Sequence, residues 1–451
     1  MSGQIGELDE RYLWHPFTPQ RDWDADDAPV IESAEGTDLI DEAGRRYIDG
    51  VSSLWCNVHG HRHPRIDEAV RDQLGKVAHS TMLGLTHAPA ARLAKRLVEI
   101  APPGLRRVFY SDSGSTATEI ALKMAFQYWQ QQGGPHARRT SFVTLRDAYH
   151  GDTLGAVSVG GIDLFHSAYG PLLFDAHRVT PGDAGELERV IAAHASEIAA
   201  VIVEPLVQGA AGIRVQPPGF LRRARELCDR HGLFLICDEV ATGFGRTGTM
   251  FASEQERVAP DFLCLGKGLT GGYLPLAATL TTERVYEGFL GAAEEARTFF
   301  HGHTFTGNPV ACAAALASLE AFEREATLLR LQPKIRLLGE LLEEVAGMDE
   351  VTEVRGLGFM AGIDLGEHDP ALRLGHRVTL EARERGAIIR PLGDTVVLMP
   401  PLAISKADLV RLVTITAESI AAAHASAYGE APRELHPAAQ AASAERAARA
   451  A

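Results

Sequence analysis

From about residue 97 to residue 280 the chain alternates two patterns: short, almost wholly apolar runs, and longer stretches whose apolar positions recur every three or four residues. The first pattern reads as strands covered on both faces, the second as helices crossing over a mainly parallel sheet. Strands are predicted over 108–110, 141–145, 200–204, 233–237 and 262–265, and a helix over 116–131. Polar residues cluster just after most of these runs, beyond the carboxyl ends of the strands, where open α/β sheets bind ligands. The pattern therefore predicts an α/β fold. A large domain covers 81–325, and a smaller α+β domain of helices with a few strands is built from 1–80 and 326–428. The alanine-rich segment 429–451 reads as a frayed or disordered tail.

Composition narrows the function. The 451 residues are 45% hydrophobic and carry a formal net charge of −15, which argues against nucleic acid, because gripping a phosphate backbone needs clustered Lys and Arg. No apolar run reaches the length of about 18 residues that marks a membrane span, and the start of the chain is polar and acidic. No membrane partner is expected, and the expected location is cytoplasmic. The five cysteines, Cys56, Cys228, Cys237, Cys264 and Cys312, are odd in number and widely spaced, which suits reduced core residues.

Two charged residues end apolar runs. Leu233-Phe234-Leu235-Ile236-Cys237 delivers Asp238-Glu239, a carboxylate that by itself could equally be a helix cap or half of a surface ion pair. The 262–265 run leads into Gly266-Lys267-Gly268. A phosphate loop of the Gly-x4-Gly-Lys-Ser/Thr kind is excluded, since Asp261 and Gly268 occupy its Gly and Ser/Thr positions. What remains is a lysine suited to a Schiff base, which needs a neutral amine and hence a desolvated pocket. Asp238 would then keep a pyridine nitrogen protonated, making the ring an electron sink. Ser111-Asp112-Ser113-Gly114-Ser115, before the 116–131 helix, offers backbone donors to an anion, and Tyr149-His150-Gly151-Asp152 offers a ring for stacking.

Other features stay open on residues alone. His59, His61 and His63 lack nearby carboxylate or Cys ligands and read as a hydrogen-bonded turn, so no metal is assigned. The glycine-rich loop from Phe299 to Pro309 could be a second phosphate contact or a helix cap. Arg390, before a turn, could clamp a substrate carboxylate or lie on the surface.

Together these residues resemble the class III, fold-type I, pyridoxal-phosphate aminotransferases, from Trp14 to about residue 425. The resemblance rests on Trp14-His15-Pro16-Phe17-Thr18, Ser53-Leu54-Trp55 with His59-Gly60, Tyr110-Ser111-Asp112-Ser113-Gly114, Tyr149-His150-Gly151-Asp152-Thr153, the run from Asp238 to Arg246, and Arg390-Pro391. The Trp14 and Trp55 motifs are similar to the diaminononanoate-synthase branch, which aminates 8-amino-7-oxononanoate in biotin biosynthesis. The resemblance implies pyridoxal 5′-phosphate as cofactor, with Lys267 as Schiff-base lysine, Asp238 as pyridinium partner and Tyr149 as stacking ring. Ser113, Gly114 and Ser115 would form the phosphate cup, with His150 and Glu204 also beside the cofactor. Thr304 would reach the phosphate of the other subunit, which makes the enzyme a homodimer. Arg390 would take the substrate carboxylate, and Phe17, Trp55, Arg246 and Gly302 complete the substrate set. The implied amino donor is S-adenosylmethionine or lysine. Phe17, Leu54, His303 and Val397 depart from the adenosylmethionine-using pattern and look more like the lysine-using branch. An ω-aminotransferase acting on another ω-amino acid or diamine, and a mutase or racemase, are the rival readings.

Overall fold

The computed structural model describes residues 2–23 and 28–429; the tail from residue 430 lies outside the described residues. The main sheet has seven strands: β1 (Leu105–Ser111), β2 (Ser141–Leu145), β3 (His177–Val179), β4 (Ile198–Val203), β5 (Phe234–Asp238), β6 (Phe262–Leu265) and β7 (Ala277–Thr282). They lie in the order β1-β7-β6-β5-β4-β2-β3. Strands β2 to β6 run parallel, with Phe234 opposite Ala200 and Ile236 opposite Phe262, while β7 runs antiparallel to both its neighbours. The five predicted strands are all present; β3 and β7 were not picked out by the pattern.

Both faces of this sheet are covered. Phe234, Ile236, Ile202 and Phe262 enter one apolar cluster, while Leu235, Cys237, Val201 and Leu263 enter the other. Successive side chains point to opposite faces, so a doubly covered strand is apolar at every position rather than at alternate ones. Each fully buried Leu, Ile or Phe contributes roughly 1.5–3 kcal/mol, which makes these central strands the hardest part of the molecule to distort. Helix α1 (Gly114–Gln132) lays Ala117, Ile120, Ala121, Met124, Ala125, Tyr128 and Trp129 into the first cluster, and Trp129 Nε1 donates to the Ala199 carbonyl at 2.9 Å. It begins where Ser113 and Thr116 cap each other's backbone N–H and ends at Gly133, whose φ is +65°. A second helix, α2 (Ala184–His194), connects β3 to β4.

The flanking segments are richer in strand than the sequence suggests. Ile31–Glu35, Asp38–Asp41 and Arg46–Asp49 form a four-stranded sheet with Ala387–Ile388. Its last pairing is parallel and brings Ile48 beside Ala387 and Asp49 beside Ile388, joining the two ends of the chain. Glu353–Leu357, Met360–Asp364, Thr395–Leu398 and Arg390–Leu392 form another. These strands span two to five residues, too short for a period of two to stand out. All five cysteines are free and four are buried. Among the described residues no helix is long and apolar enough to cross a membrane.

Candidate active site

Four strand ends converge on a cavity of about 500 Å³. Asp238 closes β5, Lys267 follows β6, Glu204 follows β4, and Tyr149 and His150 lie just beyond β2. Lys267 is half-buried, and desolvation pushes its ammonium below its ordinary value, with Asp238 and Glu204 pulling the other way. Its φ is +40°, a left-handed conformation that costs a side-chain-bearing residue about 1 kcal/mol or more and is held by its surroundings. Its Nζ stands 5.2 Å from the centre of the Trp55 ring. Asp238 Oδ2 pairs with His150 Nδ1 at 2.7 Å, and Oδ1 accepts the Val240 N–H at 3.1 Å. Glu204 is buried as well; its Oε1 accepts the Tyr149 N–H at 3.1 Å and its Oε2 the Gly209 N–H at 2.9 Å. Desolvation pushes its carboxyl up to about 7.

The other end of the cavity is the start of α1. Ser113, Gly114 and Ser115 line it, and a 19-residue helix beginning there places roughly half a positive charge and unpaired N–H donors at its amino end. Three chain segments are pressed together at this point. Gly151 has φ +108°, and a Cβ there would fall 2.2 Å from the Ser115 Cβ; a Cβ on Gly266 would come within 3.3 Å of the Gly114 Cα. Ser115 Oγ accepts the Thr153 N–H at 2.9 Å, and Thr153 Oγ1 donates to Glu119 at 2.8 Å, which ties the Tyr149 turn to the helix start. The Tyr149 hydroxyl donates to Asp152 at 2.8 Å. A desolvated lysine whose ammonium is held below its ordinary value, a buried carboxylate and an anion-binding helix start, sharing one cavity of this size, fit a phosphorylated pyridine aldehyde.

Residues 23–420 match the aminotransferase class-III family. The chain belongs to the class III aminotransferases. It is 57% identical to the adenosylmethionine-8-amino-7-oxononanoate aminotransferase of Nitratidesulfovibrio vulgaris, over 91% of this chain and 80% of that one. It is 51% identical to the protein of the same name from Geobacter sulfurreducens, over 92% and 97%. Among solved structures, the adenosylmethionine-8-amino-7-oxononanoate aminotransferase of Methanocaldococcus jannaschii superposes with a TM-score of 0.91 at 42% identity, covering 93% of this chain and 99% of that one. An amine transaminase from an uncultivated Pseudomonas species, in its pyridoxal-phosphate-bound form, gives 0.84 at 36%, covering 91% and 99%. Pyridoxal phosphate is the cofactor of class III aminotransferases, this chain among them.

In this class III aminotransferase the cavity gathers Trp55, Ser113, Gly114, Ser115, Tyr149, His150, Glu204, Asp238 and Lys267 from the residues singled out in the sequence. Phe17 and Arg390 line a neighbouring cavity of about 420 Å³. The two are linked by rings: Phe17 meets Phe165 at 5.4 Å, Phe165 meets Tyr149 at 6.4 Å, and the Arg390 guanidinium lies 6.0 Å from the Phe17 ring. Arg390 and Tyr149 also feel each other's charge. Arg246 is buried, lines neither cavity, and donates from its two terminal nitrogens to the carbonyls of Pro400 at 2.7 Å, Asn57 at 2.9 Å and Met399 at 3.4 Å, while its Nε has no protein partner among the described residues. Gly302 and Thr304 are exposed and stand outside this lining. His59, His61 and His63 go to separate partners, Ser318, Asp49 and Glu325. The sequence reading missed Ala210 in the lining, which carries no chemical signature; Gly151, Asp152, Thr153, Val240 and Ala241 were visible within motifs without a role.

Proposed function

We propose that this aminotransferase transfers an amino group to 8-amino-7-oxononanoate, giving 7,8-diaminononanoate for biotin synthesis. The observation that carries the reading is the pairing of the Lys267 and Asp238 cavity with Arg390 in the adjoining one, joined through Phe17, Phe165 and Tyr149. A keto acid with its carboxylate far along a flexible chain from its ketone needs those two anchors at a distance. The names of the relatives support the same substrate.

Pyridoxal phosphate, when bound, supplies the electron sink for the carbanion left when a proton departs from the substrate carbon. Lys267 would hold the cofactor through Nζ. Once released it is the base that moves that proton between carbons, a task its desolvated amine, held below its ordinary value, suits. Asp238, fixed by His150 and the Val240 N–H, keeps a proton on the ring nitrogen. The Tyr149 ring, its hydroxyl tied to Asp152, would hold one face of the cofactor, and Ser113 to Ser115 would hold its phosphate at the start of α1. Trp55 forms the wall of the cavity beside Lys267.

The unit that works is a homodimer in the cytoplasm. Thr304 is exposed, as are Phe300 and Phe305 around it, and Phe305 meets His79 in the segment that leads to the exposed Leu83 and Leu85, apolar surface suited to a second copy that would bring Thr304 to the partner's phosphate. Segment 81–325 serves as the cofactor-binding domain; 1–80 and 326–428 form the smaller one, stitched by the Ile48 and Ala387 pairing.

The donor is a cationic α-amino acid. The relatives are named for adenosylmethionine, whereas Phe17, Leu54, His303 and Val397 point to lysine. The deciding measurement is the half-reaction: each donor is added alone to the yellow enzyme, and the bound cofactor's absorbance is followed as it loses its visible band. Bleaching by one donor, reversed by 8-amino-7-oxononanoate, is the expected result. Bleaching that only a different keto acid reverses would overturn the substrate.

A further inference from the structure

At the other end of the main sheet from the cavity, three metal-ligating side chains meet. His177 is the first residue of β3, His194 the last of α2, and Glu197 immediately precedes β4. Their ligand atoms all lie within 4.8 Å of one another. The two imidazoles stack at 4.3 Å between centroids with 27° between planes, and Glu197 Oε2 stands 3.4 Å from His194 Nδ1. We propose that His177, His194 and Glu197 bind one divalent transition-metal ion of the zinc class, clipping the edge strand β3 to the corner between α2 and β4.

The donor set is the reason for that class. Two imidazoles and one carboxylate, with water in the fourth position, match zinc's preference for nitrogen and oxygen ligands at about 2.0–2.2 Å, whereas calcium and magnesium take mainly oxygen. Ligands around such an ion sit roughly 3.4 Å apart, and the remaining distance closes by turning side chains that are only partly packed, Glu197 being exposed. The carboxyl end of α2 adds a negative potential beside His194, its last residue. Backbone bonds fix the corner: the Glu197 N–H donates to His194 O at 2.8 Å, and Glu197 O accepts from Thr140 and Ser141.

Position decides the role. The catalytic groups follow the carboxyl ends of the parallel strands and this cluster sits at their amino ends, so a strand's length of roughly 10–20 Å separates them. The ion is therefore structural. It holds the three-residue strand β3, which pairs with β2 alone.

The test uses tag-free holoenzyme, freed of metal with a chelator and titrated with Zn²⁺ in a calorimeter. One saturable equivalent is expected, weakened about tenfold or more in His177→Ala and in Glu197→Gln, together with a rise in thermal midpoint on metal addition that both variants lose. Transamination turnover stays unchanged with and without metal. No saturable binding by the parent, or equal binding by the variants, overturns the site; a zinc-dependent change in turnover that the variants abolish overturns the structural role.

Discussion

His150 Nδ1 lies 2.7 Å from Asp238 Oδ2, and both side chains are withdrawn from solvent. A buried carboxylate so held presents its remaining lone pairs in a fixed direction, and low local dielectric strengthens whatever proton it faces. Asp238→Asn removes the charge while keeping the shape. Single-turnover kinetics are expected to show the proton-transfer step slowed by about 10²–10³, because an electron sink matters most in the transition state, while equilibrium dialysis shows cofactor affinity changed far less. Near-normal turnover in that variant would remove Asp238 from the mechanism.

Lys267→Ala takes away the only amine placed in this cavity among the described residues. The variant is expected to fold, to bind cofactor without a covalent link, and to have no measurable transamination. The checks are circular dichroism, the absorbance of the bound cofactor after borohydride treatment, and product assay. Its left-handed φ of +40° adds a second expectation: Lys267→Gly relieves backbone strain and gives a thermal midpoint no lower than that of Lys267→Ala.

Gly151→Ala attacks the crowded junction at the phosphate end. The new Cβ would sit 2.2 Å from the Ser115 Cβ, at a φ of +108° that side chains rarely adopt. The turn and the start of α1 must separate, so cofactor affinity should fall by tenfold or more while the rest of the protein stays folded. Fluorescence titration of apoprotein with pyridoxal phosphate reads this directly; unchanged affinity would mean the junction yields elsewhere.

Burial raises the Glu204 carboxyl from an ordinary 4.5 to about 7. Between those values the folded chain keeps a proton that the unfolded chain has released. The stabilisation is therefore complete below about pH 4.5 and is lost as pH rises to about 7. Urea unfolding at pH 5 and pH 8 should show the parent losing more stability over that interval than Glu204→Gln, by something on the order of 3 kcal/mol. An identical loss in both proteins would place the titration on another group.

Arg390→Ala is expected to raise the KM for 8-amino-7-oxononanoate by about tenfold to a hundredfold, since a charge-assisted bond to a carboxylate contributes roughly 1.5–3 kcal/mol. Steady-state kinetics with the keto acid and with a shorter ketone lacking the carboxylate separate the effect: the variant and the parent should handle the second alike.

The main sheet and the residues that meet in the cavity were legible because apolar runs end in charge at Asp238-Glu239 and at Lys267, and a strand that ends in charge must end at a surface or a cavity. Ser113 was legible as a helix start for the same local reason. Strand β3 was not, because three residues containing His177 and Arg178 carry no pattern. Nor was the fate of Arg246: its partners, Asn57, Met399 and Pro400, lie far away in sequence, and nothing local distinguishes a guanidinium at a substrate mouth from one that braces the backbone. Val240 and Ala210 line the cavity through position alone.

The parallel pairing of Ile48 with Ala387 has a cost in time. At about 5–20 residues per second, a ribosome needs roughly 20–70 s to make the intervening chain. Throughout that wait the edge of the Arg46–Asp49 strand has no partner, and an unpaired edge is a template for pairing with the wrong chain. Yield in the cell should therefore depend on how fast the chain is made and on what shelters that edge meanwhile, more than on the stability of the finished enzyme.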